Sequence, residues 1–509
     1  MTSRFSSEKF GVSNLWKGLL ILGVTLYFIS MFITNQNPAG CPSSEYLLSY
    51  FKQEPHVKNE KPFARPPLVS NSSTTSDQEK LININIESPT GLKHIVFGLL
   101  GSENAWHWRK PYIESWWRPN ITRGFLFLDK PPTGELLPWS EASPPYKVSD
   151  DLTTFLAETR ARAPIMIRMV HGIMEVLREV EIKSDIHGDD QIRWVVMGDD
   201  DSIFFVDNLV GVLGEHDHSR YYYLGGQSEF VMSNYWFQFN QAFGGAGIIL
   251  SYPLAKALAK DMESCLRRYA HLISADLITM ACVGDIGVNL SPNKGIHQID
   301  LRGDLSGFLS SHPKFPIISL HHLDHVDPIF PNKDRFESTR HLMKAADTDQ
   351  SRLVQQTICY DRNKEWSFSV AWGYSAQIYE RIMPRSYIQN PLETFRPWHG
   401  DPRPPPLYMF NTRLPSNDPC ETPHAFFMQD VNKSPSGTRT VYSRAGPRGL
   451  GPCGLTGNRS ADYVTEIHVL SPATKRPQMD RCECCDIIGV QGTKAELKFR
   501  ECMIDEVIA

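Results

Sequence analysis

Ten residues, Ile192 to Asp201, read IRWVVMGDDD: an apolar run with the character of a buried strand ends at three adjacent carboxylates, Asp199, Asp200 and Asp201. Like charges at one strand end repel, and a hard divalent cation with oxygen ligands neutralises such a cluster. At the carboxyl end of a strand in an α/β sheet that cation would face the crevice where ligands bind, which suggests a phosphate-bearing ligand. A solvated acidic turn is the competing reading of a bare charge run.

The elements that would position the aspartates follow from periodicity. KHIVFGLLG reads as a strand, SENAWHWRKPYIESWW as a helix with Trp106, Arg109, Ile113 and Trp117 on one face, and RGFLFLD as a second strand. Strand, helix, strand opens a βαβ layer. Pro164 to Val180 predicts a helix with Ile165, Met169, Ile173, Val176 and Val180 in register, delivering the chain into the strand that ends at the aspartates. Beyond them come a helix-like SIFFVDNLVGVLGEH, a strand in RYYYLGGQSE, and a small-residue turn, Gly244-Gly245-Ala246-Gly247, where backbone can approach a ligand closely. Leu254, Leu258, Met262, Leu266 and Tyr269 then mark an amphipathic helix over the sheet.

The order of these parts resembles the fringe-like β-1,3-glycosyltransferases, and most closely plant fringe-related proteins with a long C-terminal extension. The resemblance rests on the WxxRxxxIxxWW helix, the strand into Asp199-Asp200-Asp201, YYLGGQS at 222–228, FGGAGIILS at 243–251, GDIGV at 284–288 and SLHHLDHVDPIFP at 319–331. It implies a GT-A fold, an α/β sandwich for a nucleotide-diphospho-sugar, with a UDP-sugar donor, a divalent cation such as Mn2+, and a glycan or glycoprotein acceptor. By that comparison Asp201 is the direct metal ligand, with Asp199 and Asp200 near the metal, the ribose or the sugar. Asp285, in VGDIGV, stands where the family keeps its catalytic base, although the acidic residue that usually precedes it is Gly284 here. A histidine downstream would complete the metal site; His312 is the first choice, with His321 and His322 as alternatives. Arg109 could meet the nucleotide phosphates, and Gly245 and Gly247 would border the sugar. Trp236, Phe237 and Phe239 could stack on a sugar ring or belong to the core. A catalytically silent glycan-binding protein of the same fold is the alternative function.

The rest of the chain bounds this reading. A formal net charge of -5 over 509 residues gives no drive toward nucleic acid. From Gly18 to Thr34 there is no charged residue, and Arg4, Lys9 and Lys17 precede the run, so it reads as a membrane anchor with a cytosolic N-terminus. A cleaved signal peptide ending near Ala39 is the competing reading. The expected organisation is a cytosolic tail (1–17), a transmembrane anchor (18–34), a polar stem (35–91), a GT-A-like catalytic domain (92–331) and a β-rich accessory region (332–509). That organisation reads as a type II membrane protein, and the resemblance implies the Golgi as its membrane. All ten cysteines would then face an oxidising lumen, which favours disulfides over a zinc site for the RCECC cluster. Asn71, Asn120 and Asn458 lie in glycosylation sequons.

Overall fold

The computed structural model describes residues 88–182, 191–400, 406–454, 460–476 and 479–508. The expected anchor at 18–34, the sequons at Asn71 and Asn458, and Cys41 lie outside the described residues. Among the described residues no helix is long and apolar enough to cross a membrane.

The apolar runs become strands, in chain order β1 (Ile95–Leu100), β2 (Arg123–Leu128), β3 (Tyr146–Val148), β4 (Trp194–Asp199), β5 (Ile203–Phe204), β6 (Tyr223–Gly225), β7 (Ile248–Ser251) and β8 (Leu290–Pro292). All except β5 form one sheet, ordered β3-β2-β1-β4-β7-β6-β8. The first four are mutually parallel, β7 runs antiparallel to β4, and β6 and β8 follow as a parallel pair. Strands buried on both faces read as continuous apolar runs, which is why VFGLL, FLFL and WVVM carry no alternation. The helices Pro164–Ile182, Tyr252–Arg268 and Ala275–Asp285 cover one face through Ile167, Val176, Leu258 and Ile278. This mixed sheet covered by helices agrees with the α/β class expected from the sequence.

The other face packs on the Glu103–Glu114 helix and on a small sheet, β5-β11-β9, where β9 is Ile296–His297, β10 is Leu301–Gly303 and β11 is Ser319–Leu320. Ser102 caps that helix by accepting from the Ala105 N–H at 3.1 Å. Trp106 and Ile113 are buried as the periodicity required, while Trp117 lies buried in the turn just beyond the helix.

The C-terminal region begins with the helix Arg335–Thr348 and continues into an eight-stranded sheet that includes Trp366–Ala371, Ser375–Tyr379 and Glu466–Ser471. Disulfides join Cys359 to Cys485, Cys420 to Cys453 and Cys484 to Cys502, and a fourth, Cys265–Cys282, ties two helices of the first sheet. The RCECC cluster therefore spends Cys484 and Cys485 on disulfides, and Cys482 has no disulfide partner among the described residues. The region also turns back on the first half of the chain. Phe395–Pro397 pairs antiparallel with β10, the Val231 N–H donates to Leu407, and the Met409 N–H donates to Glu229.

Arg352, 1% exposed, anchors the C-terminal sheet: its Nε and Nη2 donate to Glu483 at 2.9 and 2.7 Å, and its Nη1 reaches the Thr474 carbonyl at 2.6 Å. Removing one partner of a buried ion pair strands the other charge, at a cost of about 3–5 kcal/mol. Arg352→Ala is therefore expected to lower the thermal midpoint of the full chain by several degrees, read by differential scanning fluorimetry. A midpoint within a degree of the parent would show that Glu483 finds another partner.

Candidate active site

The acidic cluster is built by the register of β4 against β1, in which Leu100 lies beside Asp199. Asp200 then falls against Gly101, where an added Cβ would stand 2.7 Å from the Asp200 Oδ2. From the Glu103–Glu114 helix Arg109 reaches across the cluster. Its Nη1 donates to Asp200 at 2.7 Å, and its Nη2 donates to Asp324 at 2.6 Å and lies 3.4 Å from Asp201. Arg109 is thus engaged by carboxylates of its own chain. Its place on the helix face set by Trp106 and Ile113 brings it there.

His321 completes the cluster. Its Nε2 lies 3.2 Å from the Asp201 Oδ1 and 3.6 Å from the Asp199 Oδ2. Gln298 Oε1 faces the His321 Nδ1 at 3.2 Å and also accepts from the Ala246 N–H at 3.1 Å, so the ring is oriented from behind. Gly245 makes room for it, since an added Cβ there would stand 2.0 Å from the His321 ring. Gly247 adopts φ +114, and a Cβ there would meet Phe204. Both glycines therefore have packing reasons inside the protein.

Electrostatics leave this cluster short of positive charge. Burial first, and then the neighbouring Asp201 and Asp200, push Asp199 well above the usual carboxylate range. Burial pushes Asp200 up to about 6 against the pull of Arg109. Burial would also raise Asp201, but His321 and Arg109 outweigh it and hold Asp201 below the ordinary range. Burial and His322 hold His321 below the usual imidazole value. Both Asp201 carboxylate oxygens and one oxygen of Asp324 are buried without a hydrogen-bond partner. Asp199, Asp201 and His321 offer donor atoms within 4.8 Å of one another, a set that can hold a metal ion. The orphaned Asp201 oxygens are what such an ion would satisfy.

A further carboxylate borders the cluster. Asp276 sits in the first turn of the Ala275–Asp285 helix and accepts from the Gly244 N–H at 2.9 Å. Withdrawal from water pushes it up to about 6, and its charge is felt at Asp199. The sequence concealed it, because an acidic residue just after an N-capping serine is what the helix dipole alone would select.

Two expected residues lie elsewhere. Asp285 ends the same helix, nine residues and about 13 Å beyond Asp276 at 1.5 Å per residue. It is exposed, accepts from Tyr269 Oη at 2.7 Å and from Arg268 Nη2 at 2.6 Å, and is followed by the strand β8 rather than by a helix it could cap. His312 ends the Ser306–Ser311 helix and packs its ring on Phe308 and Phe410, beside His297 and Glu229 rather than beside Asp201. The structure thus joins His321, one of the two alternatives, to the aspartates.

The floor of the site is strained. Ile299, Asp300 and His322 have φ of +71, +39 and +60, conformations rare for residues other than glycine. His322 is held between the His321 ring at 3.8 Å and Trp398 at 4.5 Å, and its Nδ1 lies 2.8 Å from Asp300. Trp398 comes from the C-terminal region. Beyond it His399 leads to Trp236, which is 52% exposed, with the two rings 6.1 Å apart.

A Fringe-like family model matches residues 164–301, and the family described as protein of unknown function, DUF604, matches residues 233–485. The two matches overlap over 233–301, the stretch that holds Gly245, Asp276 and Gln298. No curated protein matches the chain. Together the two matches span residues 164–485, so the chain carries Fringe-like and DUF604 domains, which are found in fringe-like glycosyltransferase-related proteins.

Proposed function

We propose that the protein is a metal-dependent glycosyltransferase that moves a sugar from a UDP-sugar to a hydroxyl of a glycan or glycoprotein, with inversion. The observation that carries this reading is the Asp201 carboxylate, buried, with both oxygens lacking a hydrogen-bond partner, beside Asp199 and His321. A divalent cation such as Mn2+ held there would stabilise the charge that builds up on the departing diphosphate, a contribution of several kcal/mol.

The protein's own groups would do the rest. Arg109 keeps Asp200 and Asp201 ionised and fixed, and Gln298 keeps the His321 Nε2 turned toward them. An inverting transfer needs one carboxylate to take the acceptor proton as the hydroxyl attacks the anomeric carbon. Asp276, rather than the surface residue Asp285, supports that role: it borders the cluster, it pairs with no cation among the described residues, and its raised pKa suits a base near neutral pH. The exposed, neighbouring rings of Trp236 and His399 would offer an acceptor sugar a surface to stack on. Anchoring in the Golgi membrane through the Gly18–Thr34 run belongs to the same reading, supported by the disulfides that an oxidising compartment favours.

Isothermal titration of the full chain with UDP should give binding that needs Mn2+, weakened at least about tenfold in Asp201→Asn, since metal ligands and their supporting groups carry effects of that size. Binding of UDP without metal, or by Asp201→Asn at parental affinity, would remove the metal from the reading. Asp276→Asn should retain UDP binding and lose about 10²- to 10⁴-fold in transfer rate, the range for a general base. Asp285→Asn should keep most of the parental rate. Because Asp276 must be deprotonated to act, kcat/KM should fall about tenfold per pH unit below about 6 and level off above it. A pH-independent rate from pH 5 to 8 would speak against Asp276.

A further inference from the structure

A second group of potential ligands lies apart from the aspartates. Glu229 follows the β6 glycine turn, His297 ends β9, and His312 ends the Ser306–Ser311 helix; one donor atom from each lies within 4.8 Å of the others. His297 is 3% exposed. Its Nδ1 lies 2.8 Å from the Glu229 Oε1, and its Nε2 is buried without any hydrogen-bond partner. A carboxylate can only accept, so Nδ1 carries the proton and Nε2 presents a lone pair to nothing. A ring nitrogen in that state has lost water without gaining a partner, a loss that a bound cation would make good.

The surroundings suit a metal ion in that place. The His297 and His312 rings are 5.6 Å apart, a separation that one ion about 2.1 Å from a nitrogen of each accommodates. Glu229 has its other oxygen fixed by the Ile299 N–H at 2.6 Å, so it holds the His297 ring as carboxylates hold metal-bound histidines. Both histidines and Glu229 line a cavity of about 390 Å³ that supplies space for the ion's remaining ligands. Lys294 and Lys314 stand on the same wall, so an anionic ligand or water fits those positions better than a second cation. We propose that His297 and His312 bind a borderline divalent cation of the zinc class, with Glu229 as the positioning residue, at a site separate from the aspartate cluster. Two imidazoles favour zinc, whereas the oxygen-rich Asp199–Asp201 set favours manganese or magnesium.

Full-length protein stripped with a chelator and titrated with zinc chloride against a chromophoric competitor tests this. One equivalent of zinc is expected, retained in Asp201→Asn, weakened at least tenfold in His297→Gln and in His312→Gln, and weakened about 10- to 100-fold in Glu229→Gln. Zinc affinity unchanged in both histidine variants, or lost in Asp201→Asn alone, would overturn the site. Should the histidine variants fold poorly, X-ray absorption at the zinc edge of the parental protein decides: two imidazole nitrogens in the shell support the proposal, and a shell without them refutes it.

Discussion

Three carboxylates at the end of β4 cannot all remain charged within a few ångströms of one another while withdrawn from water unless positive charge is brought to them. Arg109 is the cation that this chain sets against them, and it is shared among Asp200, Asp201 and Asp324, so the cluster stays under-neutralised. Much of the local structure follows from that constraint. The helix carrying Arg109 needs its tryptophan face buried to hold the guanidinium in place. Gly101 and Gly245 are without side chains because Asp200 and the His321 ring occupy the space. That shortage of positive charge is the observation on which the proposed cation rests.

The C-terminal region contributes to the site as well as to the core. Its strand Phe395–Pro397 pairs with β10, just after the strained residues Ile299 and Asp300, and Trp398 closes on His322. Residues held at positive φ persist only where their surroundings over-determine them. Here Glu229 holds the Ile299 amide, while Asp300 and Trp398 hold His322. The same hydrophobic cluster runs from β1 and the Glu103–Glu114 helix through Phe308 to Trp372 and Phe426. The overlap of the Fringe-like and DUF604 matches has this physical counterpart: residues of the first family's sheet and of the second family's extension build one pocket floor.

The strands and helices of the first half were legible because each is a continuous apolar run or a clear three- to four-residue period, and burial enforces such patterns locally. Asp199, Asp200 and Asp201 were legible for the opposite reason, as charges placed where burial should forbid them. Asp276 was hidden by an ordinary local explanation, that of an acid in a helix's first turn. His312 and His321 were indistinguishable as letters, since both follow the aspartates, nine positions apart, at no spacing that marks a metal ligand. Trp398 carried no signal toward the site, because it stands in a proline-rich connection with no apolar period.

By itself, then, the sequence determined the α/β layer, the acidic strand end and the β-rich extension, because hydrophobic periodicity and charge are properties of neighbouring residues. The tertiary structure alone decided which histidine faces the aspartates, which aspartate stands beside them and which aromatic residue closes over them. Those assignments depend on crossings between strands and helices far apart in the chain, where a shift of one helical turn moves a side chain about 5 Å and changes its partner.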